Sequence, residues 1–570
     1  MMNVLKSVVC CSTLIACSLL GCKEGRSEPH TDEFLSNQPN IILILADDFG
    51  IMDAQSYAHH FTEADTSSMF YETPNINKLM AQGTSFSQAY ANPLCSPTRA
   101  SLLTGLYAAR LGFTTAMPHR KTYYNQDSKV PHGFYIHDVL EHRDDIKIEQ
   151  ALVNATSNSA LPTGTETDNG YDAVSIAEAL PKYHSAFIGK WHIGGFGAEG
   201  HQPKENGFET LAYFDGGASS YFNWRNVWND TSKHVFPKIP QEKWEIGNAG
   251  EFTNEKYLTD DLTAQALNFI DTRLNSQNQP FFLYLSHFAV HSPYEAKPED
   301  VNYFESKSTL GWNNHKDPVY ASMVKSIDAS VGAIMKKLEN TGFDNNTLVI
   351  FMSDNGGIDS KLTPRGDGTD NAPFLGGKAT LNEGGIRVPL VFWWKGKVAA
   401  NKWIDTPVDC TDIFPTLLEV AGMEEARSED LELDGQSLWP LFDSIQFSSE
   451  SYSKTTHFWH YPFNVIYNSP YDHLPLTPHS AIRDGDFKLI FDWHGRLHLY
   501  NIAEDPFESN DLASQWPEKA KHLHAKLMVW LRDKVEPRYY PSINDNYNES
   551  NELRDQPFKD LFSAYLKTND

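Results

Sequence analysis

Four short apolar runs interrupt a largely polar chain, and each one stops at a charged or polar cluster. "NIILILADDFG" runs into Asp47 and Asp48, "HSAFIGKWH" into Lys190 and His192, "PFFLYLSHFAVHSP" into His287 and His291, and "NTLVIFMSDNGG" into Asp354 and Asn355. The runs are continuous rather than alternating, which predicts strands buried on both faces. Between them, "TDDLTAQALNFIDTRLNS" and "YASMVKSIDASVGAIMKKLENTG" repeat apolar residues at helical spacing, and Gly342 closes the second. Strands alternating with helices imply an α/β fold: a large central, mostly parallel sheet flanked by helices. Such sheets place their ligand crevice at the carboxyl ends of the strands, so the four clusters are expected to meet in one site.

The pattern changes after residue 440. "AIRDGDFKLIFDWHGRLHLYNI" alternates around a tight turn, as antiparallel hairpins do, and "SQWPEKAKHLHAKLMVWLRDKV" is amphipathic at helical spacing. Residues 38–440 are therefore expected to form the catalytic domain and residues 441–570 a smaller α+β subdomain with an antiparallel sheet. At the other end, Lys6 precedes an apolar run, Ser7 to Leu20, that is too short for a stable membrane anchor and ends in "LLGC". A small residue before a cysteine here resembles a bacterial lipoprotein signal. Residues 1–21 would be removed, Cys22 lipidated, and residues 22–37 left as a tether, in the periplasm or on the outer membrane of a Gram-negative bacterium. The only membrane contact expected is that anchor.

The formal net charge is −27, which argues against nucleic acid as a partner, and an anionic substrate would need a local basic site. With Cys10, Cys11 and Cys17 gone with the signal and Cys22 acylated, only Cys95 and Cys410 remain, too few for a disulfide framework. Cys410 reads as a small packing residue. Cys95 does not. In "ANPLCSPTRASLLTG" it precedes Pro97 and a periodic run reaching Leu111, so it opens a helix whose N-terminal dipole favours an anion.

Asp47, Asp48, Asp354 and Asn355 offer hard oxygen ligands, which suit calcium or magnesium better than zinc. Arg99, Lys190, His192, His291 and Lys378 (in "GGKATLNEGG") could surround an anion held at that metal. A metal with Lys and Arg beside it is equipment for phosphoryl- or sulfuryl-type transfer.

The ordered set Cys95-x-Pro97-x-Arg99, "NIILILADD", "GKWHIGG", "HSP", "SDNGG", "GGKATLNEGGIRVP" and "AIRDGDFKLI" resembles the formylglycine-dependent (type I) sulfatases of the alkaline phosphatase superfamily, and among them the bacterial polysaccharide sulfatases. The resemblance implies that a separate maturation enzyme oxidises Cys95 to formylglycine. The hydrated aldehyde would attack sulfur with one hydroxyl and release sulfate by collapsing through the other. It implies one calcium ion, with magnesium second, on Asp47, Asp48, Asp354, Asn355 and modified Cys95. Arg99 would steady the diol, Lys190 would hold the sulfate, and His192 would be the base for elimination. His291 and Lys378 would contact the sulfate and protonate the leaving alcohol, with His287 a rival for that role or a substrate contact.

The loop "SSYFNWRNVWNDTSKHVFPKIPQEKWEIGN" interleaves aromatic and basic residues, with Trp224 and Arg225 as candidate contacts to a sulfated sugar; "HFWHYPFNVIY" is a second aromatic stretch. The expected reaction is removal of sulfate from a sulfated polysaccharide or oligosaccharide, leaning to an algal galactan such as carrageenan. The alternatives are a phosphonate or phosphodiester hydrolase of the same superfamily and a glycan-binding lipoprotein without activity.

Overall fold

The computed structural model describes residues 38–116, 152–158, 160–161, 173–194, 201–222, 224, 256–276, 279–308, 312–359, 368–423, 431–442, 452–463, 478–493 and 495–544. The central sheet contains β1 (Asn40–Ala46), β2 (Thr84–Phe86), β3 (His184–Lys190), β4 (Thr210–Phe214), β5 (Phe281–Ser286), β6 (Thr347–Ser353), β7 (Leu390–Trp393) and β8 (Lys402–Ile404). Their spatial order is β8-β2-β7-β6-β1-β5-β3-β4. Strand β7 runs antiparallel to both neighbours, and every other pairing is parallel. The four apolar runs of the sequence are β1, β3, β5 and β6, which lie side by side at the centre.

Their composition follows from that position. Along β1, Ile42, Ile44 and Ala46 pack into one apolar layer, while Ile41, Leu43 and Leu45 pack into the layer on the opposite face. A strand covered on both sides needs apolar residues at odd and even positions alike. Helices supply the cover. Those used below are α1 (Cys95–Thr104), α2 (Leu258–Ser276), α3 (Pro318–Thr341) and α4 (Pro517–Lys534). The start of α3 is fixed by the Asp317 side chain, which accepts from the Tyr320 amide at 2.7 Å. Its end is fixed by Gly342 at a φ of +74°.

Helix α1 departs from expectation. It stops at Thr104, well short of Leu111, because Gly105 takes a left-handed φ of +69° and its amide bonds back to the Ser101 carbonyl at 2.9 Å. Nor is it amphipathic: all of its residues are buried. The nucleophile candidate therefore sits on a helix enclosed by protein.

Beyond the central sheet, β9 (Thr456–Tyr461), β10 (His479–Asp484), β11 (Phe487–Asp492) and β12 (Arg496–Asn501) form an antiparallel meander. Gly485 turns the β10–β11 hairpin at a φ of +59°. Helix α4 covers one face, with Leu523, Leu527 and Leu531 packed on Ile482, Leu489 and Leu499.

Candidate active site

The ends of the four central strands and the first turn of α1 converge. Alternation along β1 would send Asp47 and Asp48 to opposite faces of the sheet. Asp48 instead adopts a left-handed φ of +58°, and both carboxylates reach the same site. Lys190, at the end of β3, places Nζ 2.5 Å from Asp47 Oδ2. Just before it, Gly189 lies at a φ of +110°, where a Cβ would fall 1.7 Å from the Ser286 carbonyl oxygen, so the strand crossing admits only glycine. From α1, Arg99 donates through Nε and Nη2 to Asp354 Oδ2 at 3.1 and 2.7 Å and through Nη1 to the Lys190 carbonyl at 2.7 Å. Its Nη1 also donates to Ser286 Oγ. Lys378 Nζ lies 2.7 Å from Asp48 Oδ1, which also accepts from Asn355 Nδ2 at 2.8 Å.

Three carboxylates and the basic side chains of Arg99, Lys190 and Lys378 thus share a buried volume. Burial raises Asp47 above the ordinary carboxylate range against the opposing Lys190 charge. Burial and the neighbouring Asp47 raise Asp354 to about 6, although Arg99 pulls it down. Burial also disfavours the Asp48 anion, but Lys378 and then His291 overcome it and hold this carboxyl well below the usual range. The cations and anions balance, so a divalent ion would give the site the net positive charge an anionic ester needs on a protein of charge −27.

Whether such an ion fits can be read from the oxygens. Asp47 Oδ1 and Asn355 Oδ1 are buried and, among the described residues, have no hydrogen-bond partner. Ligand atoms of Asp47, Cys95 and Asp354 lie within 4.8 Å of one another, as do those of Asp47, Asp48 and His291. Buried, unpartnered acceptors on carboxylates and a carboxamide suit a hard cation. The residues present fit a metal.

Cys95 is buried, with Sγ 3.3 Å from His192 Nδ1. Ser96 Oγ donates to the His192 carbonyl at 2.8 Å, and His192 itself has a left-handed φ of +59°. Burial raises the Cys95 thiol above its ordinary pKa even though Lys190 and Lys378 oppose the shift, so the unmodified side chain is a protonated, weak nucleophile. His291 has Nδ1 2.6 Å from the Ser292 carbonyl oxygen. A carbonyl only accepts, so Nδ1 carries the proton and the lone pair of Nε2 faces Asp48, 3.7 Å away. Burial, with Lys378 adding to it, pushes His291 down to about 3.

The structure thus brings together Asp47, Asp48, Cys95, Arg99, Lys190, His192, His291, Asp354, Asn355 and Lys378. Two expectations need correction. His287 is fully buried, with Nε2 3.0 Å from Ser330 Oγ, and is no substrate contact. Ser286 ends β5 and His287 follows it, its amide bonding to the Leu45 carbonyl of β1 at 2.9 Å, so the two side chains face opposite sides and the site receives Ser286. Its hydroxyl donates to the Lys190 carbonyl at 2.7 Å and accepts from Arg99. Ser286 was missed although it stands at a strand end like the others. Trp224 is likewise interior, with Nε1 donating to the Lys256 carbonyl at 3.1 Å, and Tyr221 is fully buried. They are packing residues, as large aromatics often are. Arg225 lies outside the described residues, as do Cys22, Trp228 and Trp244.

This arrangement can be compared with known proteins. The family model described as Sulfatase matches residues 39–143 and 146–423, and the chain belongs to that family. A second model, described as N-sulphoglucosamine sulphohydrolase, C-terminal, matches residues 376–535. A sulfatase from Formosa agariphila is 28% identical over 551 residues, covering 88% of this chain and 90% of its own. The N-acetylgalactosamine-6-sulfatase of Rattus norvegicus is 32% identical over 416 residues, covering 70% of this chain and 65% of its own. Among solved structures, Ps i-CgsB in complex with k-i-k-neocarrahexaose is 27% identical, covers 88% of this chain and 95% of its own, and superposes with a TM-score of 0.64. The protein is a sulfuric ester hydrolase with the alkaline-phosphatase-like fold.

Proposed function

We propose that the chain releases sulfate from a sulfated polysaccharide or its oligosaccharides, with Cys95 converted to formylglycine by a maturation enzyme and one calcium ion on Asp47, Asp48, Asp354 and Asn355. The observation that carries this reading is the position of residue 95. Its Sγ lies within 4.8 Å of carboxylate oxygens of Asp47 and Asp354 and 3.3 Å from His192 Nδ1, beside a hard-oxygen ligand set. A thiol is a soft ligand, mismatched to that set, and at this burial a protonated one. An oxygen side chain there, such as a hydrated aldehyde, would both ligate and attack. When bound, calcium supplies positive charge that polarises the sulfuryl oxygens.

The chain's own residues account for the remaining tasks. Lys190 and Lys378 direct ammonium groups at the sulfate oxygens. Arg99, tied to Asp354, Ser286 and the Lys190 carbonyl, orients residue 95. His192 takes a proton from the residue-95 side chain. His291, taking a proton from solvent at Nε2 when the anionic ester binds, and Lys378 are the candidate donors to the leaving alcohol.

A sugar substrate is supported by the relatives: one is named an N-acetylgalactosamine-6-sulfatase, and another is in complex with k-i-k-neocarrahexaose. The reading leans to an algal galactan such as carrageenan. Placement in the periplasm or on the outer membrane by a lipid on Cys22 rests on the "LLGC" segment. The test incubates mature enzyme with carrageenan, agar, ulvan, fucoidan and chondroitin sulfate oligosaccharides and measures released sulfate. Mass spectrometry of the Cys95 peptide should show an aldehyde in place of CH2–SH. Fully active enzyme carrying only thiol, or good turnover of phosphonate esters without sulfate release, would overturn the reading.

A further inference from the structure

Every site residue described so far precedes residue 388, yet the loop that carries Lys378 is held from the far side by the antiparallel meander. Its near side is pinned twice: the Lys378 amide donates to the Gly357 carbonyl at 3.0 Å, and the Ala379 amide to the Pro93 carbonyl at 2.8 Å. Gly357 follows the ligand Asn355, and Pro93 precedes the Cys95 turn. Ala379 takes a left-handed φ of +70° to make its bond.

The far side depends on groups distant in sequence. The Leu381 amide donates to Nε2 of His479, on β10, at 3.1 Å. Glu508, seven residues past the end of β12 at Asn501, reaches back into the loop. Its Oε2 accepts from Asn382 Nδ2 at 3.0 Å and from the Glu383 amide at 2.8 Å. Lys488, on β11, lies between two carboxylates, 2.8 Å from Glu383 Oε1 and 2.9 Å from Glu508 Oε1. Glu383 Oε2 in turn accepts from Arg387 Nε at 2.6 Å and from Tyr90 OH at 2.9 Å. All five groups are buried.

A buried charge cluster of this kind contributes little net stability against an apolar replacement, so stability alone is a poor reason for it. Its backbone is also strained. Glu508 holds a left-handed φ of +56°, which glycine adopts freely and a glutamate seldom does. Glycine would relieve that strain but could not reach the loop. A strained backbone that delivers one carboxylate to the loop bearing a site lysine points to function.

We propose that Glu508 is a positioning residue for Lys378: it fixes the loop 378–383 so that the ammonium stands beside Asp48 and the sulfate. The C-terminal segment thereby completes a site built otherwise from the ends of the central strands, the first turn of α1 and the loop of Lys378. This rests on the reading of Lys378 as a sulfate contact, and the experiment separates the two.

Lys378→Ala, Glu508→Ala, Glu508→Gln and the Lys378→Ala/Glu508→Ala double variant are assayed in the full chain on a sulfate ester, with inhibition by inorganic sulfate and thermal midpoints measured alongside. Lys378→Ala should lower kcat/KM by about 100-fold or more. Glu508→Ala should lower it by about 100-fold, as misplacement of a catalytic group does, and weaken sulfate inhibition well below its own melting transition. The double variant should lose no more than about threefold beyond Lys378→Ala, because the two act through one group. Glu508→Gln retains an oxygen that accepts from Asn382 and Glu383 but turns its amide nitrogen toward Lys488, so it should lose less rate than Glu508→Ala, and it also serves if Glu508→Ala does not fold. A full multiplicative loss in the double variant, or a Glu508→Gln enzyme as impaired as Lys378→Ala with sulfate inhibition unchanged, would overturn the positioning role. An unimpaired Lys378→Ala enzyme would overturn the reading of Lys378, and the proposal with it.

Discussion

Arg99 donates twice to a single oxygen of Asp354, from Nε at 3.1 Å and Nη2 at 2.7 Å, inside a site where both residues are buried. Among the described residues, the other Asp354 oxygen, Oδ1, accepts only the longer bond from the Asp48 amide, at 3.2 Å, and keeps a lone pair for a ligand. The guanidinium therefore does two things at once. It offsets the carboxylates while the protein is metal-free, and it aims Oδ1 into the site.

Arg99→Ala should cost about 3–5 kcal/mol, because it leaves buried carboxylates without their counter-charge. Arg99→Lys keeps a charge but cannot reach Asp354, Ser286 and the Lys190 carbonyl together, and its kcat/KM should fall by about 100-fold through misorientation of residue 95. Urea unfolding and steady-state kinetics check the two effects separately. A lysine variant with native kinetics would show that only the charge matters.

Removal of the metal should abolish turnover and lower the melting temperature together. An ion that binds only the folded chain stabilises it by about 2.7 kcal/mol when present at 100 times its dissociation constant. Chelation followed by graded calcium should therefore restore rate and melting temperature in parallel. Asp354→Ala should show neither response, since it deletes a ligand and strands Arg99. Undiminished activity in a preparation shown to contain no metal would contradict the site.

His291 meets the site with an unprotonated Nε2, because Nδ1 is committed to the Ser292 carbonyl. If it protonates the leaving alcohol, His291→Ala should damage substrates with basic leaving groups most, and activated aryl sulfates least, where protonation matters little. Equal losses on aryl and sugar sulfates would assign the acid role to Lys378.

His287 should matter for stability rather than for turnover. Burial depresses it from 6.5 in the unfolded chain to about 3. The unfolded state then binds the extra proton below pH 6.5, so the contribution is complete above that pH and is lost as the pH falls toward 3. The expected slope is about 1.4 kcal/mol per pH unit. His287→Gln, which still reaches Ser330, should flatten the loss of urea stability between neutral and acid pH with kcat intact at neutral pH. Parallel stability profiles would refute this.

The pattern of the chain alone determined the central architecture. Strands buried on both faces must be continuously apolar, and the polar clusters closing β1, β3, β5 and β6 marked where a parallel sheet presents its ligands. The residues around Cys95 were legible for the same reason: a helix start, an arginine one turn on, and little freedom in between. Tertiary structure decided what pattern cannot carry. Whether β5 offers Ser286 or His287 depends on which face meets Arg99, a choice made by packing of α1 on one side and α3 on the other. Trp224 and Tyr221 carry no mark in sequence that separates a sugar platform from a core aromatic; only the enclosure around them does. The contact between Glu383 and Glu508 spans 125 residues. It exists because the folded meander, not any local propensity, brings a strained carboxylate against the loop of Lys378.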